Sequence, residues 1–308
     1  MKVWIAHEEG RNLLGGLPDD VQLEVCTDAI SLPSDPADVG FWVPPFVSRV
    51  SGTDLLPKMT ALRAIQLLTA GADAWTGHVP ADVTLCDARG VHDASTSEWV
   101  MTAVLAALRR FAFFVRAQDR EQWSPRAVTP TPELTGGRVL LIGAGSIGRA
   151  IEDRMAPFEV TMTRVARTAR PDEGVHGVDD LPSLLPDADV VVLVVPLTEQ
   201  TRGMVDGGFL AALPDGALLV NASRGPVVDT AALLTELASG RISAALDVTD
   251  PEPLPPGHPL WHLPNVLITP HVGGNVQGLL RRGYALVGDQ LRRFTAGDPL
   301  INKVANGY

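Results

Sequence analysis

The 308-residue sequence is poor in lysine, cysteine and aromatic residues. Only Lys2, Lys58 and Lys303 are lysines, so 22 of the 25 basic residues are arginines. In a chain rich in Ala, Gly, Pro and Val this is the mark of a GC-rich coding bias, and each Arg must be judged by its position. Acidic residues number 36 against those 25, a formal net charge of −11. That balance lacks the electrostatic footprint of a nucleic-acid binder and argues against attraction to an anionic membrane surface. Cys26 and Cys86 are too few for a disulfide framework in a chain of this length, and no CxxC or Cys/His cluster suggests zinc. The longest apolar runs, Trp99–Leu108 and Val190–Pro196, fall short of the roughly 20 residues that span a bilayer. The N-terminus turns polar after about five residues, too early for the apolar region of a signal peptide. The expectation is a soluble cytoplasmic protein with neither nucleic acid nor membrane as partner.

What the sequence does have is material for a core. Apolar residues make up 45% and charged residues 20%, and 308 residues correspond to two domains at roughly 150 residues each. The most ordered stretch is central. Arg138–Gly143 is a short apolar run entering glycines, Ile147–Met155 has helical character, and Glu159–Val165 reads as the next strand. Asp189–Pro196 is continuous and β-branched, as expected of a parallel strand buried on both faces. Ala217–Asn221, Ile242–Asp247 and Asn265–Thr269 repeat the theme, with helical segments at Gly207–Leu213 and Thr230–Ser239 between them. Alternating strands and helices imply right-handed βαβ units and a doubly wound parallel sheet.

The first 95 residues alternate more loosely, with strands expected at Val3–Ala6, Val21–Cys26, Val39–Val43, Leu62–Thr69 and Asp82–Cys86. A long helix is expected from Ser95 to about Gln118, capped by Ser95 or Ser97 and carrying Arg109, Arg110 and Arg116 late, where the macrodipole favours cations. A second helix is expected over about Val276–Phe294. Residues 1–97, completed by 276–308, then form a smaller substrate domain, and 98–275 form a dinucleotide-binding Rossmann domain inserted into it.

Gly143-Ala-Gly145-Ser146-Ile147-Gly148 matches G-x-G-x-x-G between a strand and a helix. Gly143 permits the tight turn, Gly145 lets a pyrophosphate approach the backbone, and Gly148 lets helix and strand pack closely; the helix N-terminus offers free N–H groups to the diphosphate. An acidic residue about 20 positions on usually binds the adenosine ribose 2′-OH. Here the second strand ends at Ala166, which is not acidic, and Arg167-Thr168-Ala169-Arg170 follows. Two guanidiniums and a hydroxyl suit a 2′-phosphate, so NADP(H) is the expected cofactor, with NAD(H) as the alternative.

Three strand ends bring chemistry to one rim. Arg224 follows Asn221-Ala222-Ser223, Glu252 follows the strand ending at Asp247, and His271 tips the strand Asn265–Thr269. Singly, each reads as a surface, turn or structural residue. Together beside a nucleotide loop they read as a site.

With these residues in view the chain resembles the D-isomer-specific 2-hydroxyacid dehydrogenase family. The resemblance runs through Gly143–Gly148, Pro196–Met204, Asn221–Val228, Asp247–Pro253 and Thr269–Gly274, about 180 residues in matching order, and includes Ser95–Met101. Leu68–Asp73 resembles the family's substrate loop, and Phe41–Pro45 the NADPH-preferring glyoxylate/hydroxypyruvate reductase branch.

The resemblance implies a flavodoxin-like fold for the smaller domain, a homodimer, and reduction of a small 2-oxo acid to the D-2-hydroxy acid. His271 is implied as the acid/base, Glu252 as the group that keeps it charged and in one tautomer, and Arg224 as the partner of the substrate carboxylate and carbonyl. Gly71 and Ala72 are implied to offer N–H groups to the carboxylate. Asp247 is implied near the nicotinamide amide, and Pro196, Thr198 or Thr201 and Ala222 along the cofactor. Trp42 and Phe46 are expected to wall a small pocket.

There are departures from the family pattern. Glu159 stands where a glycine is usual, and Thr69–Asp73 differs from the commoner Asn/Gly-rich loop. Glu252, where formate dehydrogenases have Gln, disfavours that activity. Two other readings stay open: a nucleotide-sensing, corepressor-like binding protein, and an NAD-linked dehydrogenase working oxidatively.

Overall fold

The computed structural model describes residues 1–28, 30–46, 52–123 and 128–305. The chain forms two compact units. One comprises Met1–His92 and Val276–Tyr308, the other Asp93–Asn275.

The smaller unit is built on β1 (Lys2–Ile5), β2 (Gln22–Val25), β3 (Val39–Trp42), β4 (Ala64–Gln66) and β5 (Thr84–Cys86), with a one-turn helix α1 (Gly10–Leu13) after β1. All neighbours pair in parallel, in the order β2-β1-β3-β4-β5. This is the doubly wound flavodoxin-like order. The strands are shorter than the apolar runs suggest: Leu62–Thr69 contributes only β4, because the chain turns away on both sides once its ladder partners end. Trp42 is not a pocket wall. Its ring is fully buried, edge-to-face with Trp75 at 5.5 Å, within a cluster that includes Trp4, Leu56 and Ile65.

The larger unit opens with α2 (Asp93–Leu108) and α3 (Phe111–Asp119). The single helix expected from Ser95 is therefore wrong in two respects. Ser95 and Ser97 lie inside the helix, with the Ser97 hydroxyl donating back to Ala94 O at 3.1 Å rather than capping. And Arg110 adopts φ +56°, which ends the α-helical ladder two residues after Leu108.

Beyond this break come β6 (Arg138–Ile142), α4 (Ser146–Met155), β7 (Thr161–Ala166), β8 (Val175–Gly177), α5 (Leu181–Leu184) and β9 (Val190–Leu193). They are followed by α6 (Gly207–Ala211), β10 (Leu218–Asn221), α7 (Thr230–Ser239), β11 (Ser243–Leu246) and β12 (Val266–Ile268). The seven strands pair in parallel in the order β12-β11-β10-β9-β6-β7-β8, the Rossmann order extended by one strand.

Alternate residues of the central strands feed opposite faces. Leu140, Ile142, Val191, Leu193 and Leu219 pack with α6 and α7 through Phe209, Leu210, Leu233 and Leu237. Val139, Leu141, Val190, Val192 and Val220 pack with α2 and α4 through Val100, Val104, Ile151 and Met155. Each such side chain is worth about 1.5–3 kcal/mol of burial, so the β-branched runs are explained by a sheet covered on both sides. Glu159 takes φ +58° before β7. That left-handed conformation is open to glycine without cost, which is why a glycine suits the position.

The chain finally returns to the smaller unit as α8 (Leu279–Ala296), whose Tyr284, Val287 and Leu291 are buried against Val3, Ile5, Phe41 and Leu68. Among the described residues no helix is long and apolar enough to cross a membrane.

Candidate active site

The nucleotide loop joins β6 to α4. Gly143 has φ +120°, and a Cβ there would lie 2.6 Å from Val194 O; a Cβ on Gly148 would lie 2.1 Å from Gly143 O. Both positions therefore exclude any side chain for reasons of the fold alone. Gly145 differs: nothing stands within 4 Å of where its Cβ would be. Space is left there at the start of α4, where the first-turn N–H groups, Ser146 and Ile147 among them, have no intrahelical acceptor. The open cradle and its donors fit a dinucleotide pyrophosphate.

At the end of β7, Ala166 closes the strand, and Arg167 and Thr168 follow it as exposed residues. The Arg170 guanidinium turns back to the loop, donating to Ala144 O at 3.1 Å, and pairs with Glu173 at 3.1 Å. No acidic side chain occupies the strand end itself.

Pro196, Thr198 and Thr201 form a closed turn after β9. The Thr201 hydroxyl donates to Pro196 O at 2.6 Å and accepts from Thr198 N at 2.8 Å. That hydroxyl is therefore engaged in the turn. Ala222 continues β10, its N–H donating to Leu193 O at 3.1 Å.

Arg224 is presented by a turn that Asn221 organises. The Asn221 side chain, 1% exposed, accepts from Ser223 N at 2.9 Å and donates to Arg224 O at 3.1 Å. Composition and spacing do not single out Asn221; a side-chain turn of this kind is the signal, and Asn at a strand's end is where to look for it. The Arg224 guanidinium donates to Ser223 O at 2.8 Å.

Glu252 and His271 meet. His271 Nδ1 lies 2.7 Å from Glu252 Oε1, with both side chains more than 40% exposed. A carboxylate at Nδ1 holds the ring so that Nε2 faces away from it, the arrangement of a general acid oriented by a second residue.

Asp247 is 5% exposed and does not present a free carboxylate. It accepts from Thr269 Oγ1 at 2.6 Å, Val272 N at 2.9 Å and Gly273 N at 2.8 Å, and its main-chain carbonyl accepts from His271 N at 2.7 Å. These bonds give Asp247 a role in holding the His271 turn, and burial of a carboxylate demands such donors. Trp99, whose Nε1 donates to Thr269 Oγ1 at 2.9 Å, belongs to the same network. Sequence reasoning missed this role, since it depends on two elements 170 residues apart.

In the smaller unit, Gly71 and Ala72 follow β4, and neither N–H donates to any described residue. Gly71 O accepts from the Thr69 hydroxyl at 2.7 Å, which fixes the loop. Among the described residues no group of three or more His, Cys, Asp or Glu could hold a metal ion.

Residues 101–273 match the model of the D-isomer specific 2-hydroxyacid dehydrogenase NAD binding domain. A curated relative, glyoxylate/hydroxypyruvate reductase A of Arabidopsis thaliana, is 32% identical over 266 residues, covering 83% of each chain. The chloroplastic/mitochondrial formate dehydrogenase of the same plant is 30% identical over 245 residues; the match covers 75% of this chain but only 63% of that longer protein. A D-isomer specific 2-hydroxyacid dehydrogenase of Xanthobacter autotrophicus Py2, solved in complex with NADPH and MES, superposes with a TM-score of 0.85 at 30% identity. That superposition covers 100% of this chain and 99% of the other. The chain belongs to the D-isomer specific 2-hydroxyacid dehydrogenase family.

Proposed function

We propose that the protein is an NADPH-preferring reductase of small 2-oxo acids of the glyoxylate and hydroxypyruvate type, producing the D-2-hydroxy acid. The observation that carries this is the His271–Glu252 pair at 2.7 Å, on the carboxyl edge of the sheet that also presents Arg224 and the glycine loop. In open α/β sheets that edge is where ligands bind. NADPH bound at the glycine loop would supply the hydride that reduces the substrate's C2.

His271 then gives the Nε2 proton to the carbonyl oxygen, and the imidazole left behind keeps its Nδ1–H on Glu252. Arg224 pairs with the substrate carboxylate and stabilises the charge that develops on the carbonyl oxygen. Within the smaller unit taken by itself, the Gly71 N–H has no acceptor among the described residues and suits an anionic carboxylate, whereas Ala72 is fully buried in the core. Arg167, Thr168 and Arg170 would hold the 2′-phosphate. The missing strand-end acid supports this choice, as does the relative from Xanthobacter autotrophicus, crystallised with NADPH.

NADPH and NADH oxidation is to be followed with glyoxylate, hydroxypyruvate, pyruvate and phenylpyruvate in turn. Turnover of the small substrates with NADPH, lost in His271→Ala while NADPH still binds, supports the reading. Tight nucleotide binding with no turnover on any 2-oxo acid overturns it in favour of a nucleotide sensor. A homodimer, also part of this reading, is tested by light scattering.

A further inference from the structure

His271 sits in the left-handed region, at φ +55°. For a residue with a side chain this conformation is disfavoured, and it persists only where the surroundings over-determine it. Here the surroundings are a single hydrogen-bonded chain whose proton directions are fixed by chemistry. An indole N–H can only donate, so Thr269 Oγ1 must accept from Trp99 Nε1 at 2.9 Å. The hydroxyl has one hydrogen, and its remaining close partner is Asp247 Oδ1 at 2.6 Å, an ionised acceptor. Asp247 then takes Val272 N on the same oxygen and Gly273 N on the other, while its carbonyl takes His271 N. The turn from 269 to 273 is thus held from both sides of His271, and its far anchor is an indole on the first helix of the unit.

We infer that Trp99, Thr269 and Asp247 act as positioning residues that aim the His271 imidazole at Glu252 and fix its direction for proton transfer. The inference rests on the proposal that His271 is the acid, and it deepens that proposal. None of the three touches the reacting atoms in this account. They act by denying the turn any other arrangement, and a turn released by even a fraction of an ångström loses alignment that catalysis depends on.

The test uses the full-length protein with Trp99→Phe, Thr269→Val and Thr269→Ser, beside His271→Ala. Steady-state kinetics are measured, with NADPH affinity and Tm for each variant. Trp99→Phe keeps an aromatic side chain but removes the N–H donor together with the five-membered ring, whereas Thr269→Val removes the hydroxyl at nearly constant shape; kcat is expected to fall about fivefold in the first and about tenfold or more in the second. KM and NADPH affinity should change by less than about twofold in both. Thr269→Ser retains the hydroxyl and restores the rate. A purely structural role would lower Tm without this split between kcat and KM. Overturning results are an undiminished kcat in Thr269→Val, a KM that rises in step with the loss of kcat, or no rescue by Thr269→Ser. If instead His271→Ala keeps its turnover, it is the proposed acid that fails, and the two failures are distinguished.

Discussion

Replacing Gly225 by Ala should separate the loops that carry Arg224 and Glu252 while adding only one methyl group. Gly225 follows Arg224, and its missing Cβ would stand 1.9 Å from Thr249 O and 2.2 Å from Thr249 C. Both are backbone atoms, so no flexible side chain can swing aside. Even the 3.0 Å that real Cβ contacts essentially never undercut requires the two segments to part by about 1.1 Å. Arg224 lies on one side of that contact, and Thr249 leads into Glu252 on the other.

Overpacking of this kind costs about 1–3 kcal/mol of stability, and an ångström of misplacement costs about 10²-fold in rate, or about 2.7 kcal/mol of transition-state stabilisation. Initial rates of NADPH oxidation with hydroxypyruvate give kcat/KM, nucleotide fluorescence gives NADPH affinity, and calorimetry gives Tm. The expected result is a lower Tm and a kcat/KM reduced about a hundredfold with NADPH affinity held within about threefold, since the glycine loop is untouched. A variant with the parent's Tm and kcat/KM refutes the claim that this contact sets the spacing of the two loops.

Gly145→Ala is predicted to leave Tm unchanged, because its Cβ meets nothing within 4 Å, yet to weaken NADPH about tenfold or more by filling the space the pyrophosphate needs; calorimetric titration measures both quantities. The double substitution Arg167→Ala with Arg170→Ala should raise KM for NADPH by about tenfold or more while leaving NADH nearly unaffected, read as the ratio of the two KM values. Glu252→Gln should lower kcat about tenfold with NADPH affinity unchanged, because the neutral amide no longer offers a charged partner to the imidazole at 2.7 Å; steady-state kinetics beside a nucleotide titration read both. Asp189, whose carboxyl is held below its ordinary range chiefly by hydrogen bonds from the Arg138 guanidinium, contributes stability above that range and loses it as pH falls through the lowered value. Asp189→Asn should therefore cost about 0.5–1 kcal/mol at neutral pH for this half-exposed pair, and the difference should close in acid, as denaturant titrations at several pH values would show.

The parallel sheet was legible because its central strands are buried on both faces, and Val190–Leu193 can satisfy that demand only as a strand. The rim residues were legible because strand ends are where such sheets place ligands, so Arg224, Glu252 and His271 could be put at one edge without coordinates. The break at Arg110 was not, since two arginines read equally well as the last turn of a longer helix. Nor was β8, whose three residues carry no periodicity. The burial of Trp42 and the engagement of Thr201 and Asp247 depend on partners that only tertiary structure brings near. For a polar side chain, the sequence reveals its chemistry but not whether another part of the chain has already claimed it.

The return of α8 to the smaller unit bears on how the molecule is made. The Tyr284 hydroxyl accepts from His7 N at 2.9 Å, a contact between residues 277 positions apart, and the same helix covers Val3, Ile5, Phe41 and Leu68. As the chain emerges from the ribosome these apolar side chains come first and their cover comes last, whereas Asp93–Asn275 is contiguous and can complete its own core in between. The larger unit is therefore expected to fold during synthesis, with the smaller sheet left bare on one face until the end. In that interval the protein is most exposed to aggregation, and truncation ahead of Leu279 would make the interval permanent.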